Sequence, residues 1–294
     1  MSANIQLPTD TGLYVFVNNQ IIPSTEAYLH ISDLAIQRGY GIFDFFKVKQ
    51  THPYFINDYL DRFYHSATQM NLMVPVAQDV LKTIIRELTT KNNLAESGVK
   101  MVLTGGYSAD GYQPGTPNLI ITQQPFSLPT QAQYQTGIKI ITHEYVRELP
   151  TAKTINYTMG IRLIQEIKDS GADDVLYHQA GAVSEFPRCN FFIVRQDDTV
   201  VTPAENVLLG VTRKNVLALA ATRFKFAEEP VTLKDIYEAK EAFLTSTTKR
   251  VLPIVQIDDK IIGNGKPGRV TQALLQDLIS LEDKELAETG GRMK

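Results

Sequence analysis

Short apolar segments separated by polar turns run along the whole chain, and they predict a fold that mixes strands and helices. Tyr14–Val17 and residues 21–22 are apolar on either side of Asn18-Asn19, a pattern typical of a β-hairpin. The remaining predicted strands are residues 42–48, 99–103, 119–122, 175–177, 191–194, 200–201 and 242–246, followed by a hairpin over residues 251–262.

Helices are predicted where apolar positions recur every three or four residues. In residues 57–70 the apolar positions, including Phe63 and Ala67, lie on one face, and Asn57 or Asp58 is expected to begin the helix. The other predicted helices are residues 80–88, 158–168, 211–221 and 271–281.

The chain of 294 residues is long enough for two domains of ordinary size. Residues 124–135 are rich in Gln, Pro, Ser and Thr, and we interpret them as an interdomain linker. The predicted domains are therefore residues 1–123 and 136–294. The Gly-rich loop over residues 105–117 is long, which favours a functional role for it.

Composition excludes several classes of protein. A formal net charge of -3 gives no reason to expect nucleic acid or an acidic membrane surface as a partner. The single cysteine, Cys189, excludes a disulfide framework and a multi-cysteine metal site, and the five histidines are scattered. The beginning of the sequence does not resemble a secretory signal, and no apolar run approaches membrane-spanning length. We expect a cytoplasmic protein without a metal site.

Lys153 is the first candidate for chemistry, because it lies just ahead of an apolar helical segment. A single lysine is usually a solvated surface charge. A lysine drawn inward, however, loses solvation, and this lowers its pKa and favours the neutral amine that Schiff-base chemistry needs.

Four other features have both an ordinary and a functional interpretation. Glu185 is either a turn carboxylate in water or the partner of a protonated ring nitrogen. Residues 210–213 either form an ordinary threonine N-cap or offer backbone N–H groups to an anion. Residues 245–248 are either a polar turn or a phosphate-binding segment, and Arg62 belongs either to a surface ion pair or to an anion site.

These features occur together and in one order, and the chain thereby resembles the class IV (fold-type IV) pyridoxal-phosphate enzymes from about Val15 to Leu281. That family includes branched-chain aminotransferases, D-amino-acid transaminases and aminodeoxychorismate lyases. The matching segments are Tyr59-Leu-Asp-Arg-Phe63, Lys153-Thr-Ile-Asn156, Ser184-Glu185 followed by Asn190-Phe191-Phe192, Leu209-Gly-Val-Thr-Arg213 and Ser246-Thr-Thr248.

The resemblance implies a role for each of these segments. Lys153 forms the Schiff base with pyridoxal 5'-phosphate, and Glu185 pairs with its ring nitrogen. The residues implied to hold the phosphate are Arg62, Val211, Thr212, Thr247 and Thr248. Tyr157 is either a hydrogen-bond donor to the ring phenolate oxygen or a core aromatic residue.

The resemblance also implies an α/β (α+β) fold of two domains, a small N-terminal α/β domain and a larger C-terminal pseudo-barrel domain, with the cofactor between them. It implies at least a homodimer.

The substrate is indicated by the segment Gln37-Arg-Gly-Tyr-Gly-Ile-Phe-Asp44, which lines the substrate pocket in the family and contains Arg38 and Phe43. The Arg-x-His carboxylate trap of common D-amino-acid transaminases is absent, and Arg188 offers a second guanidinium. The sequence is most similar to a subgroup of D-amino-acid transaminases in which two arginines hold the substrate carboxylates, with 2-oxoglutarate or pyruvate as the 2-oxo acid.

Other interpretations stay open. In the alternative to the two-arginine site, Arg188 faces solvent and Arg38 forms an ion pair with Asp33 or Asp44. A branched-chain L-amino-acid aminotransferase, an aminodeoxychorismate lyase and a catalytically silent cofactor-binding protein are the alternative functions.

Overall fold

The computed structural model describes residues 11–291, and the side chains of residues 11–288. The chain divides into two compact units, and the boundary does not follow the sequence order throughout. The first unit contains the chain up to Phe126 together with Lys153–Asn156, and the second contains Ser127–Ala152 and Tyr157–Lys294. The Lys153 segment, which the sequence assigns to the second domain, therefore belongs to the first unit.

The first unit is built on a six-stranded antiparallel sheet in the order β2-β1-β6-β5-β3-β4. Its elements are β1 (Tyr14–Val17), β2 (Gln20–Pro23), α1 (Leu34–Arg38), β3 (Gly41–Lys49), β4 (His52–Pro53), α2 (Ile56–Gln69), α3 (Gln78–Asn92), β5 (Glu96–Thr104) and β6 (Leu119–Gln124). In β3, Ile42 and Phe46 are fully buried while Phe43 and Phe45 are half-buried, so the two faces of the sheet differ.

The second unit is built on a ten-stranded mixed sheet with the order β12-β11-β10-β14-β15-β7-β8-β9-β13, in which β16 pairs with β15. Its strands are β7 (Ile138–Glu144), β8 (Asp174–Gln179), β9 (Ala182–Val183), β10 (Asn190–Val194), β11 (Val200–Thr202), β12 (Phe226–Glu228), β13 (Val231–Thr232), β14 (Glu241–Ser246), β15 (Arg250–Ile257) and β16 (Lys260–Ile261). Its helices are α4 (Gln131–Thr136), α5 (Thr158–Arg162), α6 (Ile164–Asp169), α7 (Val211–Ala220), α8 (Leu233–Tyr237) and α9 (Arg269–Gly291).

Strand β10 lies between β11 and β14 in this second sheet, and all five of its residues are buried. Because helices α7 and α9 cover one face, Phe192 and Val194 pack there against buried residues of those helices, among them Val216 and Leu274. Alternate residues such as Phe191 belong to a second apolar cluster. The packing of both faces therefore fixes the position of β10, the strand that follows Glu185 in the sequence.

The predicted mixed α/β class and most predicted elements are confirmed, and the differences are helix ends, one interrupted helix and short helices that were not predicted, namely α1, α4 and α8. The helix predicted over residues 158–168 is interrupted at Leu163, which is buried, and forms α5 and α6. The N-cap of α2 is Phe55 in the left-handed region, with no side-chain cap, so the predicted cap at Asn57 or Asp58 is wrong. Helix α9 extends well beyond the predicted 271–281. Within the described residues, no helix is both long and apolar enough to span a membrane.

Candidate active site

Lys153 is fixed through its backbone to strand β3 and helix α2. Its carbonyl accepts a hydrogen bond of 2.9 Å from the N–H of Phe43, and its own N–H donates to Ser66 Oγ at 3.1 Å. The next residue, Thr154, forms a β-bridge with Ile42. The segment thus extends the sheet edge locally, which places the half-buried Lys153 at a defined position beside Phe43.

The ring of Phe43 contacts two lysine side chains. Lys153 Nζ lies 4.6 Å from the ring centroid and Lys100 Nζ lies 5.1 Å from it. Lys100 is opposite Phe45 in the β3–β5 register, and therefore on the same sheet face as Phe43. Burial lowers the pKa of Lys100. A second cation thus shares an aromatic ring with Lys153, a feature that the sequence did not reveal.

Arg62 lies on α2, where it forms a forked ion pair with Asp44 of β3. Its Nε donates to Oδ2 at 2.9 Å and its Nη2 donates to Oδ1 at 2.6 Å. The side chain of Arg62 is 10% exposed and that of Asp44 is fully buried, so the pair is an internal one rather than a surface ion pair. The guanidinium is held in one orientation.

The two arginines predicted to bind substrate carboxylates, Arg38 and Arg188, have exposed side chains. Arg38 ends α1, and its Nη1 donates to the carbonyl of Gln37 at 3.1 Å. Asp33 and Asp44, the two alternative partners of Arg38, bind other residues. Asp44 pairs with Arg62, and Asp33 accepts hydrogen bonds from Thr104 and Asn118 at 2.7 Å each.

Glu185 is buried in the second unit, with 4% of the residue exposed, so the interpretation as a turn carboxylate in water is wrong. Its Oε2 accepts a hydrogen bond from the backbone N–H of Leu208 at 2.9 Å, and the Asn190 side chain lies 3.5 Å away. Glu185 and Asn190 also form a β-bridge. The carboxylate is therefore oriented by the start of β10 and by the segment before α7.

Arg147 supplies the positive charge beside Glu185. Its Nε and Nη2 lie 2.8 and 2.6 Å from Glu185 Oε1, and the side chains are 13% and 5% exposed. An ion pair is the arrangement that allows a carboxylate to stay charged in a buried position. Arg147 follows β7 in an irregular segment, and no sequence motif identifies it.

The start of helix α7 is open to an anion. Its N-cap is Gly210, which has no side chain to cap the first turn, so the N–H groups of that turn lack intrahelical partners. A Cβ at position 210 would lie 2.1 Å from Asn190 Oδ1. Val211 and Thr212, both predicted phosphate ligands, are buried at 5% and 9% exposure in this turn.

The turn after β14 lies on the other side of Asn190. Asn190 pairs with Thr245 in the β10–β14 register, and its Nδ2 donates to the carbonyl of Leu208 at 2.7 Å. Thr245 Oγ1 is buried and has no hydrogen-bond partner within the described part of the chain. The predicted phosphate ligands Thr247 and Thr248 are half-buried in the turn that follows.

The predicted site residues thus form two clusters, one in each unit. The first contains the predicted Lys153, Phe43 and Arg62 together with Lys100, which was not predicted. The second contains the predicted Glu185, the start of α7 and the threonine turn together with Arg147, which was not predicted. Tyr157, half-buried, precedes α5 in the second unit. The first cluster offers an amine beside an aromatic ring, and the second offers a buried carboxylate and an anion-binding helix end.

Comparison with known proteins places the sequence among transaminases. The family described as Amino-transferase class IV matches residues 41–257. D-alanine aminotransferase of Bacillus licheniformis is 27% identical over 91% of this chain and 98% of its own length. Branched-chain-amino-acid aminotransferase of Pseudomonas aeruginosa is 27% identical over 93% of this chain and 95% of its own length. The solved structure of branched-chain amino acid aminotransferase from Escherichia coli has a TM-score of 0.85 at 22% identity and covers 92% of this chain and 94% of that one.

Proposed function

The chain belongs to the class IV aminotransferase family, and we propose that it catalyses pyridoxal-phosphate-dependent transamination between an amino acid and a 2-oxo acid, with Lys153 as the lysine that attaches the cofactor. The observation that carries the proposal is the position of Lys153. Its amine lies on the Phe43 ring, and its backbone is held by β3 and α2.

The residues fit the cofactor chemically. A phosphate dianion needs N–H donors, and the uncapped first turn of α7 offers them. The buried hydroxyl of Thr245, which has no hydrogen-bond partner among the described residues, is a further polar group of this region. A protonated ring nitrogen needs a charged acceptor, which Glu185 supplies while paired with Arg147. When bound, pyridoxal phosphate supplies the electron sink for reactions at the substrate α-carbon.

The remaining steps, proton transfer and binding of the cofactor, are assigned to residues of the chain. Lys153 Nζ takes the substrate α-proton and returns it, as a general base and then a general acid. Glu185 would keep the proton on the ring nitrogen of the bound cofactor, and Tyr157 would donate a hydrogen bond to its phenolate oxygen. Arg62, which Asp44 orients, would be a phosphate ligand in the first unit. Val211, Thr212, Thr247 and Thr248 would be phosphate ligands in the second unit.

For the substrate, we propose a D-amino acid such as D-glutamate or D-alanine, with 2-oxoglutarate or pyruvate as the 2-oxo acid. The likeness to D-alanine aminotransferase supports this proposal. Arg38 and Arg188 remain the proposed carboxylate anchors. Lys100 is a third candidate because its amine contacts the same Phe43 ring as that of Lys153. A second carboxylate would give the half-buried Lys100 a counter-ion.

Transamination of branched-chain L-amino acids is the second candidate. The similarity to branched-chain aminotransferases at equal identity favours it. The exposure of both Arg38 and Arg188 favours it too, because neither guanidinium is already confined to a pocket in the described structure. In that case Phe43 and its apolar neighbours on β3 and β5 would contact the substrate side chain.

We also propose that the protein is a homodimer. The first unit exposes the large apolar side chains of Tyr28, Ile31 and Tyr112 at 71%, 74% and 81%, and a second copy of the chain would remove such surface from water. Light scattering coupled to gel filtration measures the assembly. A mass equal to one chain at micromolar concentration would contradict this proposal.

A half-reaction screen tests the substrate proposal. Purified, cofactor-loaded protein is mixed with D-glutamate, D-alanine, L-leucine or L-isoleucine, and the change in cofactor absorbance is followed with time. We expect faster changes with the D-amino acids. A faster change with L-leucine would support the branched-chain function, and no change with any amino acid would contradict transamination itself.

A further inference from the structure

The guanidinium of Arg147 contacts two parts of the second unit at once. On one side it binds Glu185 Oε1 through Nε and Nη2, at 2.8 and 2.6 Å. On the other side Nη2 donates to the carbonyl of Pro150 at 2.5 Å and Nη1 donates to the carbonyl of Ala152 at 3.2 Å. All three guanidinium nitrogens are engaged, and one partner, Ala152, is the residue directly before Lys153.

The segment between β7 and Lys153 contains no helix or strand. At its start Tyr145 N–H donates to the carbonyl of His178 at 2.9 Å, and near its end Ala152 N–H donates to the carbonyl of Leu149 at 3.2 Å, which forms a turn. Leu149 is 43% exposed, so the turn is not anchored by its own apolar side chain. The contacts of Arg147 with Pro150 and Ala152 therefore hold the end of the segment that directly precedes Lys153.

Glu185 is fixed on its other side by the rigid part of the unit, because Leu208 N–H donates to Oε2 at 2.9 Å. A planar guanidinium can serve both partners because its donors form a fixed fork. A lysine in its place would keep the positive charge but would lose the fixed planar arrangement of donors.

We propose that Arg147 is a positioning residue that couples the orientation of Glu185 to the peptide immediately before Lys153. The proposal rests on the proposed function for its catalytic meaning, since it links the residue assigned to the ring nitrogen with the chain that carries the attaching lysine. Disturbing either end of the link therefore loosens the other.

Hydrogen exchange measured by mass spectrometry tests the link without any reference to activity. Arg147→Met and Glu185→Gln should both speed amide exchange in peptides covering residues 148–153, although position 185 is remote in sequence. Arg223→Met removes another ion pair of the second unit, the one with Asp277, and should leave those peptides unchanged. Unchanged exchange in Glu185→Gln would overturn the coupling, whether or not the protein transaminates.

A spectroscopic measurement then tests the catalytic meaning. In the cofactor-loaded protein, Arg147→Met should change the circular dichroism of the cofactor band and weaken cofactor binding by about 10- to 100-fold, as loss of charge-assisted hydrogen bonds does. Arg147→Lys should recover part of the cofactor affinity, because it keeps the positive charge. It should not recover the wild-type dichroism, because an ammonium group lacks the planar set of donors that binds Glu185 and the backbone carbonyls together. A cofactor dichroism equal to that of the wild-type protein in both variants would contradict positioning by Arg147. If instead the wild-type protein does not transaminate, only the proposed function is contradicted.

Discussion

Asp44 holds Arg62 through two parallel hydrogen bonds of 2.6 and 2.9 Å, which join strand β3 to helix α2 inside the first unit. The pair is shielded from water, with the Asp44 side chain fully buried. An arginine held in this way presents a fixed guanidinium edge, which suits the phosphate-binding role proposed for Arg62.

Replacing Arg62 should therefore weaken cofactor retention. Arg62→Ala removes a charge-assisted bond to phosphate worth about 1.5–3 kcal/mol, so affinity should fall by roughly one to two decades. Equilibrium dialysis of the cofactor measures the change. Arg86→Ala, at an exposed position of α3, is the matched control. Equal cofactor affinities for the two variants would show that Arg62 has a structural role only and does not bind the phosphate.

The uncapped start of α7 gives a second prediction for the phosphate. Gly210→Ala places a Cβ against Asn190 Oδ1, only 2.1 Å away, and this must displace the helix turn or the asparagine. We expect weaker cofactor binding with little change in helix content, measured by dialysis and far-ultraviolet circular dichroism. Unaltered affinity in a folded variant would show that the first turn of α7 does not hold the phosphate.

Lys100 should determine the preference for acidic substrates. Lys100→Met keeps the unbranched apolar stem of the side chain but removes its charged end, so the half-reaction with D-glutamate should lose roughly 10- to 100-fold in affinity while D-alanine changes little. Lys49→Met, on β3 and partly exposed, is the control. Equal losses for both amino acids would contradict a carboxylate-binding role for Lys100.

The same residue gives a prediction for pH. Burial lowers the pKa of Lys100, so its positive charge is present at low pH and is lost as pH rises, earlier than for an exposed lysine. The affinity for D-glutamate relative to D-alanine should therefore decline towards alkaline pH. Taking the ratio cancels titrations that affect both substrates, and the decline should vanish in Lys100→Met. A decline that persists in that variant would assign it to another group.

Local signals in the sequence predicted much of the fold. The hairpin at Asn18-Asn19 and the helix over residues 57–70 depend on neighbouring residues, and both are present as β1–β2 and α2. The short helix α4 lies in the predicted linker, where Thr130 and Gln133 form a capping box that the sequence displays. Helix α1 was missed because its five residues are too few to show a period.

The site could be predicted only where a motif marks it. Lys153, Glu185 and Arg62 lie in segments that resemble a known family, whereas Arg147 has no motif and reaches Glu185 across 38 positions of sequence. Lys100 likewise meets Phe43 only because β3 and β5 pair in one register. Such contacts depend on tertiary structure, and no periodicity along the chain encodes them.

The attachment of the cofactor to Lys153 is tested most directly by chemical trapping. The cofactor-loaded protein is reduced with borohydride and digested, and mass spectrometry locates the phosphopyridoxyl group. We predict that it lies on the peptide that contains Lys153, and that Lys153→Ala, but not the exposed control Lys168→Ala, loses both the modification and transamination. A group found on Lys100 or on any other lysine of the wild-type protein would contradict the account.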